Sequence, residues 1–166
     1  MAEAKWLDGY SGQTVDDLIA LEGEYRTDSL IVALEQALGQ KAARHGDQRL
    51  STEEHVVLAV EALEREVNNG GYGQFFANSS NEYAATIVDA LARIGCPVTA
   101  EITGRAVSAL SVTDLKAGTV TSAMESDNEE RDEHLSQCDE RYFNSGEDIA
   151  GRLYAYIKIN KAAFKL

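Results

Sequence analysis

Val56, Val60, Leu63 and Val67 follow one another at steps of four, three and four residues. An α-helix puts that spacing on one side, whereas a strand would send its members to opposite faces. The stripe starts behind Ser51 and Glu54, a capping box in which hydroxyl and carboxylate each accept from an otherwise unpaired backbone N–H. The spacing predicts a helix from Ser51 to about Asn68, with Glu53, Glu61, Glu64 and Glu66 off the buried face. The same period recurs along the chain. Thr14 to Tyr25 carries Val15, Leu18, Ile19 and Tyr25, and Asp28 to Ala43 carries Leu30, Ile31, Leu34, Ala37 and Leu38 before Gly46 as a C-terminal cap. Ser79 and Glu82 read as a second capping box, opening a helix on Tyr83, Ile87, Ala90, Leu91 and Ile94 that Gly95 ends and Pro97 stops. Thr99 to Leu110 fits a helix on Ile102, Ala106 and Leu110. A last helix starts after Ser145, with Asp148 as a partial capping partner, and turns Ile149, Leu153, Tyr156 and Ile157 inward.

Between Ser111 and Ser136 the period fades, and Gly118, Thr119, Thr121 and Ser122 read as loop. Residues 112–136 stay open between helix and loop. Twenty-three alanines and a single proline suit helices elsewhere. The expectation is therefore an all-α fold, a single compact domain over residues 1–166 with roughly six or seven helices. A chain of this length buries roughly 68–70% of its unfolded surface and needs no disulfide or metal staple.

Charge narrows the function. There are 28 acidic and 15 basic side chains, for a formal net charge of −13. A phosphate backbone is repelled by such a surface, so direct nucleic-acid binding is excluded. Residues 1–50 carry −4, 51–100 carry −5, 101–150 carry −8 and 151–166 carry +4. The densest acidic stretch holds Glu125, Asp127, Glu129, Glu130, Asp132 and Glu133, followed by Asp139 and Glu140. If it is helical, Glu125, Glu129 and Glu133 share a face with neighbours roughly 5–6 Å apart. Two such stripes approach the spacing of one charge per roughly 3.4 Å along a DNA strand. Asp17, Glu24, Asp28 and Glu35 form a second stripe only if one helix runs through Arg26 and Thr27. Against this stands a plain solvated acidic surface, common in soluble proteins.

Reactive residues are few. His45, His55 and His134 are scattered, and no nucleophile elbow, zinc-protease helix or phosphate loop occurs. No catalytic residue, cofactor or metal ligand is assigned; the acidic cluster lacks the calcium-loop pattern. Cys96 and Cys138 are expected as free, buried thiols of a reduced cytoplasm. No leader and no run of 18 apolar residues is seen, so a cytoplasmic location without a membrane partner is expected.

The run Asn68-Asn69-Gly70-Gly71-Tyr72-Gly73-Gln74-Phe75-Phe76-Ala77-Asn78-Ser79-Ser80 is the most distinctive stretch. Asn and Gly tolerate left-handed backbone, so it reads as a helix exit, and a side chain at Gly71 would be strained if that residue has positive φ. At least one of Phe75 and Phe76 should be buried, with Asn68, Asn69, Gln74 and Asn78 pairing with turn backbone beside it. The run, from Glu66 through Asn68, Asn69, Gly70 and Gly71 to Gln74, Phe75, Phe76, Asn78 and Ser79, resembles the motif of a bacterial DNA-mimic family. Tyr72 stands where that family usually has Phe. The segments Asp139 to Phe143, Glu147 to Ala150 and Tyr156 to Asn160 also resemble it, so the likeness covers about residues 51–160.

Most members of that family have no assigned function; one is an acidic, helical dimer that occupies the DNA-binding surface of a transcription factor. The resemblance implies a helical scaffold, with a homodimer as a further expectation. Together with the charge it points to an acidic interaction protein. Its basic DNA-binding partner would be met by Glu125, Asp127, Glu129, Glu130, Asp132 and Glu133, and by Asp17 and Glu24. An immunity or inhibitor protein against a basic toxin or nuclease shares this physics. An enzyme or small-ligand binder would instead need a polar pocket near Asn69, Gln74 and Asn78, with Glu66 or His55 as the titrating group.

Overall fold

The Thr14 hydroxyl accepts from Asp17 N at 3.1 Å, and the Asp17 carboxylate accepts from Thr14 N at 2.9 Å. This reciprocal cap starts α1 (Val15–Ala20). In the computed structural model, which describes residues 2–166, seven further helices follow: α2 (Thr27–His45), α3 (Thr52–Ala77), α4 (Ile87–Arg93), α5 (Pro97–Ala109), α6 (Ala117–Glu125), α7 (Glu129–Phe143) and α8 (Ile149–Ile159). Among the described residues the fold is all-α; the sole β-type pairings are isolated bridges at Tyr25. The chain divides into two compact units, Met1–Leu58 with Asp148–Leu166, and Ala59–Glu147.

In the first unit α1 and α8 pack on α2. The buried side chains are those the periodicity selects: Leu18, Leu30, Ile31, Leu34, Leu38, Leu153 and Ile157. Gly46, at φ +88°, ends α2. The Ser51 hydroxyl accepts from Glu54 N at 3.0 Å and the Glu54 carboxylate from Ser51 N at 2.9 Å. Glu54 is completely buried, and its charge is met by Lys41 Nζ at 2.9 Å and by Lys165 N at 2.8 Å. A buried carboxylate is tolerated when paired and hydrogen-bonded in this way.

In the second unit α5 packs on both α4 and α7, and α6 packs on a 3₁₀ turn at Ser79–Tyr83. Pro97 occupies the first turn of α5, where no N–H is missed. The Glu147 carboxylate accepts from Val98 N, Thr99 N and the Thr99 hydroxyl at 2.6–2.9 Å, closing that helix end. Cys96 and Cys138 are buried, and neither is in a disulfide. Among the described residues no helix is long and apolar enough to cross a membrane.

Several boundaries differ from the sequence expectation. The first helix stops at Ala20, so Tyr25 lies outside it. Ser79 and Glu82 make no capping box; α4 starts only at Ile87. The Ser80 hydroxyl and Asn81 amide instead donate to the carbonyls of Phe75 and Phe76, at 2.7 and 3.0 Å, and so terminate α3. Gly118, Thr119, Thr121 and Ser122 lie within α6 rather than in a loop. Asp148 itself caps α8, accepting from Gly151 N at 3.0 Å, and the inward tyrosine is Tyr154 rather than Tyr156. These caps give a direct test. Ser51→Ala should cost about 1 kcal/mol, the usual worth of an N-cap, whereas Ser79→Ala should leave the urea midpoint nearly unchanged. A larger loss at Ser79 would contradict the cap assignment.

Candidate functional site

The distinctive run breaks α3 without ending it. Gly70 (φ −158°, ψ 15°) and Gly71 (φ +79°, ψ −176°) leave helical geometry, and the helix resumes at Tyr72. Gln74 and Asn78 find a side-chain partner rather than turn backbone. Gln74 Nε2 and Asn78 Nδ2 both donate to Glu66 Oε2, at 2.7 and 3.0 Å, so one carboxylate brackets the break. Asn68 Nδ2 donates to the Glu64 carbonyl at 2.6 Å, and Asn69 is exposed. The resumed helix begins with Tyr72 N donating to Asp139 Oδ1 at 2.7 Å. Burial pushes the Asp139 carboxyl up, while that N–H pulls it back. Tyr72, Phe75 and Phe76 are all fully buried, and the Tyr72 and Thr103 hydroxyls share a hydrogen bond of 2.7 Å. The Asn68, Gln74 and Asn78 amides and the three rings of the run are thus engaged in holding the unit together.

Gly71 is required twice over. Its φ lies where L side chains are strained, and a Cβ there would run into the Asp139 carboxylate. Gly71→Val should therefore destabilise by more than about 1 kcal/mol. An unchanged denaturant midpoint would show that the break does not depend on glycine.

The acidic stretch forms a different kind of surface. Asn128 Oδ1 accepts from Arg131 N at 3.0 Å and starts α7. The buried residues of α7 are Arg131, Leu135, Cys138 and Tyr142, at steps of four, three and four. Glu129, Glu133 and Glu140 lie on the opposite face, at steps of four and seven, and Asp132 flanks them. All four are exposed, as are Glu125, Asp127 and Glu130. Glu125 ends α6 and Asp127 sits in the link, so the expected Glu125–Glu129–Glu133 stripe is not one helical face. Glu140 extends the acidic face instead; its distance of eleven residues from Glu129, three helical turns, was the available signal. Asp132 pairs with the buried Arg131 guanidinium at 2.9 Å, and Gln137 donates to Glu133 at 3.2 Å. Among the described residues Glu125, Asp127, Glu129 and Glu130 form no ion pair.

The second expected stripe is broken. Asp17 belongs to the α1 cap, and Thr14 hydrogen bonds hold its carboxyl below the usual range. Glu24 lies in the turn between α1 and α2 beside Lys5, and Asp28 pairs with Arg26 at 2.7 Å. Elsewhere in that unit Lys158 meets Glu22 and Lys161 meets Asp16, each at 3.0 Å. The basic C-terminal segment thus neutralises acids of its own unit. By sequence the first unit carries −3 and the Ala59–Glu147 unit −10. Among the described residues no three His, Cys, Asp or Glu side chains are grouped as metal ligands.

No curated protein matches the chain. The family model described as DMP19-like protein matches residues 48–160, most of the chain and nearly the span that the motif predicts. It includes the Gly-Gly break, the buried rings and the acidic α7. The chain therefore belongs to the DMP19-like protein family, the DNA-mimic family that its Asn-Asn-Gly-Gly run resembles.

Proposed function

We propose that this protein is an acidic interaction protein that occupies the basic DNA-binding surface of another protein. The observation carrying this reading is the placement of charge. The Ala59–Glu147 unit holds −10, and its α7 presents Glu129, Glu133 and Glu140 on one exposed face. Exposed carboxylates that form no intramolecular ion pair are available to cations of a partner, and their field steers its approach. Family membership supports the same reading.

The test is capture followed by competition. Immobilised protein is exposed to lysate of its source cell at low salt, and bound proteins are eluted with duplex DNA. The expected result is release of a DNA-binding protein by duplex DNA and by salt. A captured protein that salt releases and duplex DNA does not would point to neutralisation of a basic toxin at a site other than its nucleic-acid surface. It would overturn the mimic reading.

A further inference from the structure

The flank of α7 between its buried and acidic faces, where Glu130, His134 and Arg141 stand, borders a groove of about 930 Å³ between α5 and α7, with Val88 of α4 also lining it. Pockets that hold small organic ligands span about 300–1,000 Å³. The charges here run against those of the unit. Arg105, Arg131 and Arg141 line the groove against two carboxylates, Glu101 and Glu130, so its lining is net basic in a unit whose net charge is −10. Arg105 is paired with Glu101 at 2.7 Å, and the buried Arg131 is held by Asp132 and the Ala123 carbonyl. Arg141 is exposed and forms no ion pair among the described residues. In so acidic a unit, an arginine left without a carboxylate stands out.

The walls explain the space. Ala100, Gly104 and Ser108 stand one turn apart on the α5 side, and Cys138 lines the α7 side. Gly104 lies mid-helix, where glycine is about 1 kcal/mol less favourable than alanine. Yet a Cβ at that position would meet no heavy atom within 4 Å, so close packing does not demand it. Burial pushes the Cys138 thiol up, with Asp139 adding to it, while Arg141 and Arg105 are near enough to act in the other direction. Both guanidinium charges thus bear on one small, apolar stretch.

We propose that this groove binds a small amphipathic anion, its charged group on Arg141 and Arg105 and its apolar body over Ala100, Gly104 and Cys138. Guanidinium suits the planar, bidentate recognition of such a group. The inference does not rest on the interaction reading, because the groove flank and the Glu129–Glu133–Glu140 face are different sides of α7.

Fluorescence titration of the full chain with 8-anilinonaphthalene-1-sulfonate tests it, with uncharged N-phenyl-1-naphthylamine as the matched probe. Saturable binding of the sulfonate is expected. Arg141→Gln should weaken it by about tenfold, the effect of removing one charge-assisted contact, with little change for the uncharged probe. Gly104→Leu, which suits a helix, should abolish binding of both probes without lowering the melting temperature. Equal sulfonate affinity in Arg141→Gln and the parent would overturn the proposal, as would undiminished binding by Gly104→Leu. A Gly104→Leu variant that turns a dimer into a monomer in sedimentation would assign the groove to a second copy of the chain, and would overturn it as well.

Discussion

Phe76→Ala is expected to destabilise the protein by about 3–5 kcal/mol, the range for deleting a fully buried aromatic ring. Phe76 has no exposed surface, and it sits between two other buried rings. Its centroid is 5.2 Å from that of Phe75, edge to face, and 6.3 Å from that of Tyr72, stacked. Tyr72 in turn meets Tyr142 edge-on at 5.9 Å, which ties α3 to α7. Such aromatic pairs contribute about 0.5–1.5 kcal/mol beyond burial alone. Deleting the central ring therefore removes both its own transfer energy and two pair terms, and it leaves a cavity that helices on either side cannot easily fill. Domains of this kind are stable by only about 5–15 kcal/mol, so a large fraction of the total is at stake. Phe75→Ala should fall in the same range, while Phe76→Leu, which conserves most of the volume but loses both aromatic pairs, should cost about 1–3 kcal/mol. Urea unfolding followed by circular dichroism measures all three. If both alanine variants unfold at the parent midpoint, the rings are not core residues and the run is an exposed patch.

That at least one of Phe75 and Phe76 is buried was legible in the sequence, because two adjacent phenylalanines cannot sit in a solvated turn; both are buried, and Tyr72 with them. What could not be read was their setting. The Asn and Gly residues suggest a helix exit, but the chain resumes its helix one residue later because Asp139, 67 positions away, supplies the acceptor for Tyr72 N. A distant partner of that kind leaves no local trace. The same holds for α6. Gly118, Thr119 and Thr121 are poor helix formers, yet Val120 is buried and the Asn81 amide donates to the Thr121 hydroxyl at 2.8 Å. Tertiary contacts there override local propensity. Ser79 fails in the opposite sense: its local pattern fits a cap, but Ser80 and Asn81 are already bound to the carbonyls ending α3 and draw the chain into a 3₁₀ turn. Where apolar period and capping agree, as at Ser51 before α3 and at Gly46 after α2, the expected and observed helix ends coincide.

Reversing the charge of Glu129, Glu130, Glu133 and Glu140 to Lys is expected to slow association with a basic partner by about tenfold to a thousandfold at low salt, the range over which steering alters on-rates. The acidic cluster has a competing structural explanation. Carboxylates in the first turn of a helix favour its N-terminal dipole, and Glu129, Glu130 and Asp132 sit there behind the Asn128 cap. Glu133 and Glu140 lie further along, where the dipole gives no reason for them, so the Glu133→Lys, Glu140→Lys pair separates the two accounts. Asp132 is left intact because its carboxylate holds the buried Arg131 guanidinium, and a lysine there would disturb the fold itself. Exposed charges contribute little to stability, so the double variant should unfold at nearly the parent midpoint while its association slows. The difference between variant and parent should shrink as salt rises, because a Debye length of about 8 Å at physiological ionic strength screens a surface field. Dissociation should change less than association, as expected for charges that guide encounter. Surface plasmon resonance against the captured partner, over a series of salt concentrations, reads both rates. An unchanged association rate for the quadruple variant, with the partner still bound, would move the interface off α7 and leave the carboxylates of its first turn as helix-end stabilisers alone.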